Sequence, residues 1–133
     1  MRYTLRKSEI LRGKHNFQKV FNSGERIYNN LINSFYLIEK TDTKENKIVA
    51  GFLVNRKIKS AVIRNRCRRL MRESYRLNKN ILNIQTKNFY NVSIIFYFKK
   101  IIEDKKIKLQ QVADDIVNSL LRIKDEILRK DSI

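Results

Sequence analysis

Apolar side chains recur along this chain in two rhythms, and the alternation between them lays out a fold. From His15 to Gly24, Phe17, Val20 and Phe21 stand at i, i+3 and i+4, the spacing of one helix face. Gly24 sits where a left-handed glycine would end that helix. So short a helix is not stable alone in water and must rest on another element. Asn33 to Glu39 and Ile48 to Val54 are rich in aromatic and β-branched residues and read as two strands, with a polar loop over residues 41–47 between them. The second strand is apolar on both faces, which predicts a central strand antiparallel to the first. An earlier edge strand over residues 26–32 is compatible with the pattern.

No Gly or Pro interrupts Ser60 to Arg76, and Ser60 can cap a helix N-terminus, so a long helix follows. On a helical wheel, Ile63, Cys67, Leu70, Met71, Ser74 and Leu77 share one arc, while Arg64, Arg66, Arg68, Arg69, Arg72 and Arg76 fill most of the other side around Asn65. Residues 78–91 read as a polar connection, Asn91 to Phe98 as the strongest strand, and residues 99–108 as a charged link. The last segment, Leu109 to Lys130, places Leu109, Val112, Ile116, Leu120, Ile123 and Ile127 at helical spacing. Its acidic residues balance its basic ones, which marks a structural helix laid on the sheet. The order predicts one sheet with helices packed against it in a single domain, without repeats.

Charge changes the picture from a fold to a function. In 133 residues, 30 Lys and Arg oppose 13 Asp and Glu, a net charge of +17. Such a surface attracts polyanions, nucleic acid first and an anionic membrane surface second. The apolar content of 42 %, with seven Phe and six Tyr, excludes a disordered basic tail. No apolar run approaches the length that spans a bilayer. The opening residues are not the apolar core of a secretory signal, since Glu9 and Arg12 follow Arg2, Arg6 and Lys7. With the single cysteine, Cys67, this predicts a cytoplasmic protein without a disulfide or zinc thiolate cluster.

Chemistry borne by the protein's own side chains has little to work with. One His, at position 15, and three Gly exclude a histidine metal site and a glycine-rich phosphate loop. His15 reads as a surface or capping residue, and Cys67 as an inert packed thiol. No carboxylate pair is spaced for metal-assisted phosphodiester cleavage, Asp114 and Asp115 being adjacent. Binding chemistry, by contrast, is abundant. Like charges at i, i+4 (Arg64, Arg68, Arg72, Arg76) cost a few tenths of a kcal/mol per pair, about 0.2–0.5, in the free protein. Phosphates between the guanidiniums relieve that repulsion, because the planar fork of Arg matches phosphate oxygens. Asn65 suits a base or ribose contact. Phe17, Phe21, Phe35 and Tyr36 are candidates either for the core or for stacking on single-stranded RNA.

Two separated motifs carry a family resemblance. Ala50-Gly51-Phe52-Leu53-Val54-Asn55-Arg56-Lys57, followed by Ala61 to Glu73 with Arg64-Asn65-Arg66, resembles the signature of the bacterial ribonuclease P protein family; Phe17-Gln18-Lys19-Val20-Phe21 with Gly24 resembles that family's first helix. The resemblance covers the domain from about residue 11 to residue 128 of 1–133. It implies an α+β fold: a mixed β-sheet with packed helices, like the second domain of ribosomal protein S5, with a left-handed crossover between parallel strands. It also implies an accessory subunit of the endonuclease that removes the 5′ leader of precursor tRNA, leaving a 5′ phosphate. Arg64, Asn65, Arg66, Arg68, Arg69 and Arg72 would then face the catalytic RNA subunit. Phe17, Phe21, Phe35, Arg56 and Lys57 would line the cleft for the leader. Mg²⁺ would be held mainly by the RNA, catalysis would reside there, and neither DNA nor membrane would be a partner. Lys59 and Ser60 depart from the family's usual Gly and Asn, and Ser60 keeps a capping side chain. A structural RNA-binding protein of ribosomal type is the alternative; a helix-turn-helix regulator lacks the required short helix before its basic helix.

Overall fold

The computed structural model describes residues 4–103 and 106–133. Helix α1 (Lys14–Ser23) leads into strands β1 (Glu25–Tyr28), β2 (Ile32–Thr41) and β3 (Lys47–Val54), then helix α2 (Ala61–Asn78), strand β4 (Phe89–Phe98) and helix α3 (Leu109–Asp131). Short 3₁₀ turns at Lys7–Glu9 and Lys79–Leu82 complete the described elements. The four strands form one mixed sheet in the order β1-β2-β4-β3. β1 pairs antiparallel with β2, and β2 with β4, while β3 runs parallel to β4.

This order corrects two expectations for residues 48–54. β3 is not central and does not pair with β2; it is an outer strand parallel to β4, reached through the α2 crossover. Its two apolar faces have another cause. Ala50, Phe52 and Val54 join the main core, Val49 and Leu53 pack on the opposite side, and the free edge is covered as well. There Leu11 N donates to Ala50 O at 2.9 Å, beside a parallel bridge between Ile10 and Ala50. An outer strand covered on three sides has the composition of a central one.

The main core lies between the sheet and the pair α2 and α3. Ile94, Phe96 and Phe98 of β4 meet Cys67 and Met71 of α2 and Val112, Ile116, Leu120 and Ile123 of α3, all fully buried. Tyr75 completes this layer, its ring 5.8 Å from Phe52 and 5.6 Å from Phe96. It replaces Leu77 in the expected apolar arc; Leu77 is 39 % exposed. Ser60 caps α2 as expected, its Oγ accepting from Ile63 N at 3.3 Å, worth about 1 kcal/mol. Lys59 needs no glycine conformation, since no non-glycine residue described has positive φ. Gly24 is also not left-handed, with φ −88°. A Cβ there would stand 2.5 Å from the carbonyl oxygens of Val20 and Tyr36, so close backbone approach demands the glycine.

Two carboxylates fasten α3. Asp115 Oδ2 accepts from Leu31 N at 2.7 Å and Ile32 N at 3.2 Å, while Ser119 meets Ser34 at 2.7 Å. At the other end Asp131 accepts from Lys87 N at 2.6 Å, Asn88 N at 2.9 Å and the Tyr90 hydroxyl at 3.0 Å. Burial disfavours the Asp131 charge, but these donors outweigh it and hold the carboxyl below its ordinary range. A depressed carboxyl contributes stability fully present above its unfolded pKa of about 4 and lost as pH falls through the folded value. Asp131→Asn therefore lowers the unfolding midpoint at neutral pH, and its gap from wild type narrows as pH is lowered below about 4. Thermal unfolding across that range checks this; a gap that widens in acid contradicts it.

Candidate nucleic-acid interface

The sheet separates two basic surfaces. On the α2 side, Asn65, Arg68, Arg69, Arg72, Glu73 and Arg76 line an open groove of about 630 Å³ whose far wall is Thr4 and Leu5. Helical spacing gathers these side chains on the face opposite the core residues. Glu73 does not cancel the field, because Arg76 pairs with it one turn on, and that hydrogen bond pulls the carboxyl below its usual range. Arg68 Nη1 donates to Asn65 Oδ1 at 3.0 Å, which joins the amide to the basic row. Arg69 and Arg72 are exposed.

The far wall is a strap that the sequence did not signal. Lys79 Nζ donates to Thr4 O and pairs with Glu9 at 2.7 Å. Burial disfavours the Glu9 charge, yet the Arg6 N–H and the Lys79 ammonium keep its carboxyl below the ordinary range.

Two arginines of the expected RNA row are turned to structural tasks. Arg64 Nη1 donates to the carbonyls of Ile58 and Lys59, bracing the turn before α2. Arg66 Nη2 donates to Ile107 O at 2.9 Å, and its buried Nε has no partner among the described residues. Neither lines the groove. Cys67 is fully buried, and burial pushes its thiol pKa up, in keeping with an inert packed residue.

On the opposite side of the sheet, α1 rests on β2, β3 and β4. Phe17 lies over Gly51, where an added Cβ would come within 2.7 Å of its ring. Val20 packs with the buried Ile95, and Phe21 meets Phe35 edge to face, centroids 4.9 Å apart. The three phenylalanines are half-buried, so each is both packing and surface. Tyr36 points the other way and is core, 9 % exposed. Arg56 and Lys57 stand exposed on the turn that leaves β3, where Asn55 accepts from Lys57 N at 3.0 Å. The structure thus gathers Phe17, Phe21 and Phe35 and sets the two cations at the strand end nearby in sequence to Leu53.

Further residues join this face. The Arg26 guanidinium lies over the Phe35 ring at 5.5 Å, and Lys99 over Tyr28 at 6.0 Å. Strand register sets Tyr28, Asn33, Tyr97 and Leu53 in one row beside α1. Asn33 Oδ1 is buried there without a hydrogen-bond partner among the described residues. Alternation along β2 could have paired Asn33 with Phe35; Arg26 and Tyr97 needed the register.

Among the described residues no group of three His, Cys, Asp or Glu side chains could hold a metal ion. No helix described is long and apolar enough to cross a membrane.

Comparison with known proteins agrees with this geometry. The Ribonuclease P family model matches residues 5–124. The chain is 32 % identical to the ribonuclease P protein component of Pelotomaculum thermopropionicum over 114 residues, 86 % of this chain and 91 % of that one. It is 42 % identical to that of Petrotoga mobilis over 76 residues, 57 % of this chain and 61 % of the relative. In three dimensions it is similar to the RNase P protein of Staphylococcus aureus, with a TM-score of 0.59 and 18 % identity over 88 % of this chain and 95 % of that one. The Thermotoga maritima RNase P protein gives 0.57 and 22 %, covering 86 % and 96 %. A mixed four-stranded sheet flanked by three helices, an arginine row on its crossover helix and a family match along most of its length place the chain in the ribonuclease P protein family.

Proposed function

We propose that this chain is the accessory protein subunit of a ribonucleoprotein endonuclease that removes the 5′ leader of precursor tRNA. The observation that carries the reading is the division of labour between the two sides of the sheet. One side offers guanidiniums with no ring among the described residues that line its groove; the other offers half-buried rings with the Arg26 guanidinium over one of them. The first suits the phosphates of a folded RNA, read here as the catalytic RNA subunit. The second suits an unpaired strand, whose bases stack while its phosphates meet Arg26, Arg56 and Lys57; this is read as the leader. Asn65, Arg68, Arg69 and Arg72 hold the RNA subunit, with Arg64 and Arg66 supporting the helix that carries them. Mg²⁺ supplies the activated water when bound by the RNA, and the protein screens phosphate repulsion around it.

Three outcomes follow. The protein alone leaves precursor tRNA uncut, whereas RNA subunit with Mg²⁺ cleaves it and needs less Mg²⁺ once the protein is added. Correct 5′ processing by nuclease-treated, RNA-free protein refutes this, and cleavage unaffected by the protein favours a purely structural RNA-binding role.

Replacing Arg68, Arg69 and Arg72 together by Ala weakens RNA-subunit binding and flattens the plot of log K against log salt by roughly 2–3 units, at about 0.7–0.9 per phosphate contact. Arg66→Ala instead lowers the unfolding midpoint, since it frees the link before α3. Filter binding at several salt concentrations and thermal unfolding separate the two.

Phe21→Ala costs the reconstituted enzyme on the order of 1–3 kcal/mol in affinity for a substrate with a long leader and little for one trimmed to its last nucleotide. Equal losses for both substrates contradict the leader platform.

A further inference from the structure

Helix α1 does not cover its face of the sheet; it divides it. Phe17 sits on Gly51, Val20 on Ile95 and Phe21 on Phe35, and those three partners form one cross-strand row through β3, β4 and β2. The helix therefore runs across the strands, about 10 Å wide with its side chains. On one side lies the row with Asn33 and Tyr97 described above. On the other, Leu37, Ser93 and Val49 form the next row, followed by Glu39, Asn91 and Lys47.

This second half is a groove of about 440 Å³, closed at the β3 edge by the segment from Lys7 to Arg12. Lys7, Arg12 and Lys47 line it and are all exposed. Its one lining carboxylate among the described residues, Glu39, is already paired with Lys19 at 3.0 Å, so the groove keeps its positive field. Ser93 and Asn91 add hydroxyl and amide groups on the floor. Among the described residues no aromatic ring lines it, in contrast to the half beyond α1. Such a lining offers nothing for a base to stack on and donors for phosphate and sugar oxygens.

We propose that this second groove binds the sugar-phosphate backbone of the 5′-distal part of the leader, without regard to base. The proposal rests on the leader reading above. The substrate rather than the RNA subunit is the occupant because the groove shares its face with the phenylalanines, while the arginine row of α2 lies across the sheet. A strand that stacks on the aromatic half and passes α1 meets Lys7, Arg12 and Lys47 next.

The test uses reconstituted holoenzyme carrying Lys7→Gln, Arg12→Gln and Lys47→Gln together, with unfolding midpoints confirming the fold. Precursor tRNAs with leaders of about sixteen and about four nucleotides, the range of site sizes on single-strand binding folds, are compared. The variant binds the long-leader substrate on the order of tenfold more weakly, with a salt slope flatter by about 2 units at 0.7 per contact. It binds the short-leader substrate and the RNA subunit as wild type does, and a change of leader sequence at constant length leaves the loss unchanged. An equal loss for both substrates, a loss of RNA-subunit affinity, or no loss for either overturns the second groove. Failure of the leader reading itself has a different signature: wild-type enzyme then binds long and short leaders alike, and Phe21→Ala does not distinguish them.

Discussion

Everything in this fold depends on a strand that is apolar on both sides. Ile94, Phe96 and Phe98 face one way and Ile95 the other, all four fully buried. Both faces of the sheet must then be covered, since leaving such side chains in water forfeits about 1.5–3 kcal/mol each. Helices α2 and α3 cover most of the first face, leaving Ile38 and Ile48 half-buried at its margin. The second receives the ten residues of α1 and, at the β3 edge, Leu11, enough to shield Ile95 and its neighbours but not the rest. The incomplete cover is what leaves phenylalanine edges, tyrosines and cations accessible on a rigid floor, and binding surfaces on strands are positioned more exactly than on loops.

The same economy shapes α2. Its apolar arc is spent on the core, and its polar arc is divided between tethers to the backbone and side chains turned to the open groove. Arg64 and Arg66 are tied to backbone carbonyls of the segments that enter α2 and precede α3, so they set where the helix sits. Arg68, Arg69 and Arg72 remain turned to the groove. Acidic residues follow a matching logic: Asp115, Asp131 and Glu9 each bind donors within the protein. Those three carboxylates are thereby engaged inside the protein.

Legibility from sequence followed the range of the interaction. The α1 face, the Ser60 cap, the arc of α2 and the strand at Asn91 to Phe98 rest on contacts or periodicities within a few residues, and the structure keeps them, except that Tyr75 takes the place of Leu77 in the α2 arc. The place of β3 is not legible because covering an edge with Leu11, some forty residues upstream, leaves the same apolar pattern as covering it with a strand. The tethers of Arg64 and Arg66, the strap at Thr4 and Leu5, and the approach of Arg26 to Phe35 are decided by three-dimensional neighbours, and a wheel of charges treats all arginines alike. The need for glycine at position 24 comes from crowding by two carbonyls, not from the handedness its place in the sequence suggests.

The strand order also sets a timetable for synthesis. β4, the middle of the sheet, is the last strand to leave the ribosome, and it lies between β2 and β3, which do not touch each other. Until Phe98 has emerged, β1 and β2 have only each other to pair with, while β3 and the arginine helix have no sheet to join. The nascent chain thus presents its polycationic segment before it owns a core, at synthesis rates of about 5–20 residues per second. Unpaired strand edges in that interval are the feature most prone to aggregation, and mutual repulsion among the arginines is the property of this chain that opposes it. The charge that makes the finished surface attractive to polyanions also makes one unfinished copy repel another.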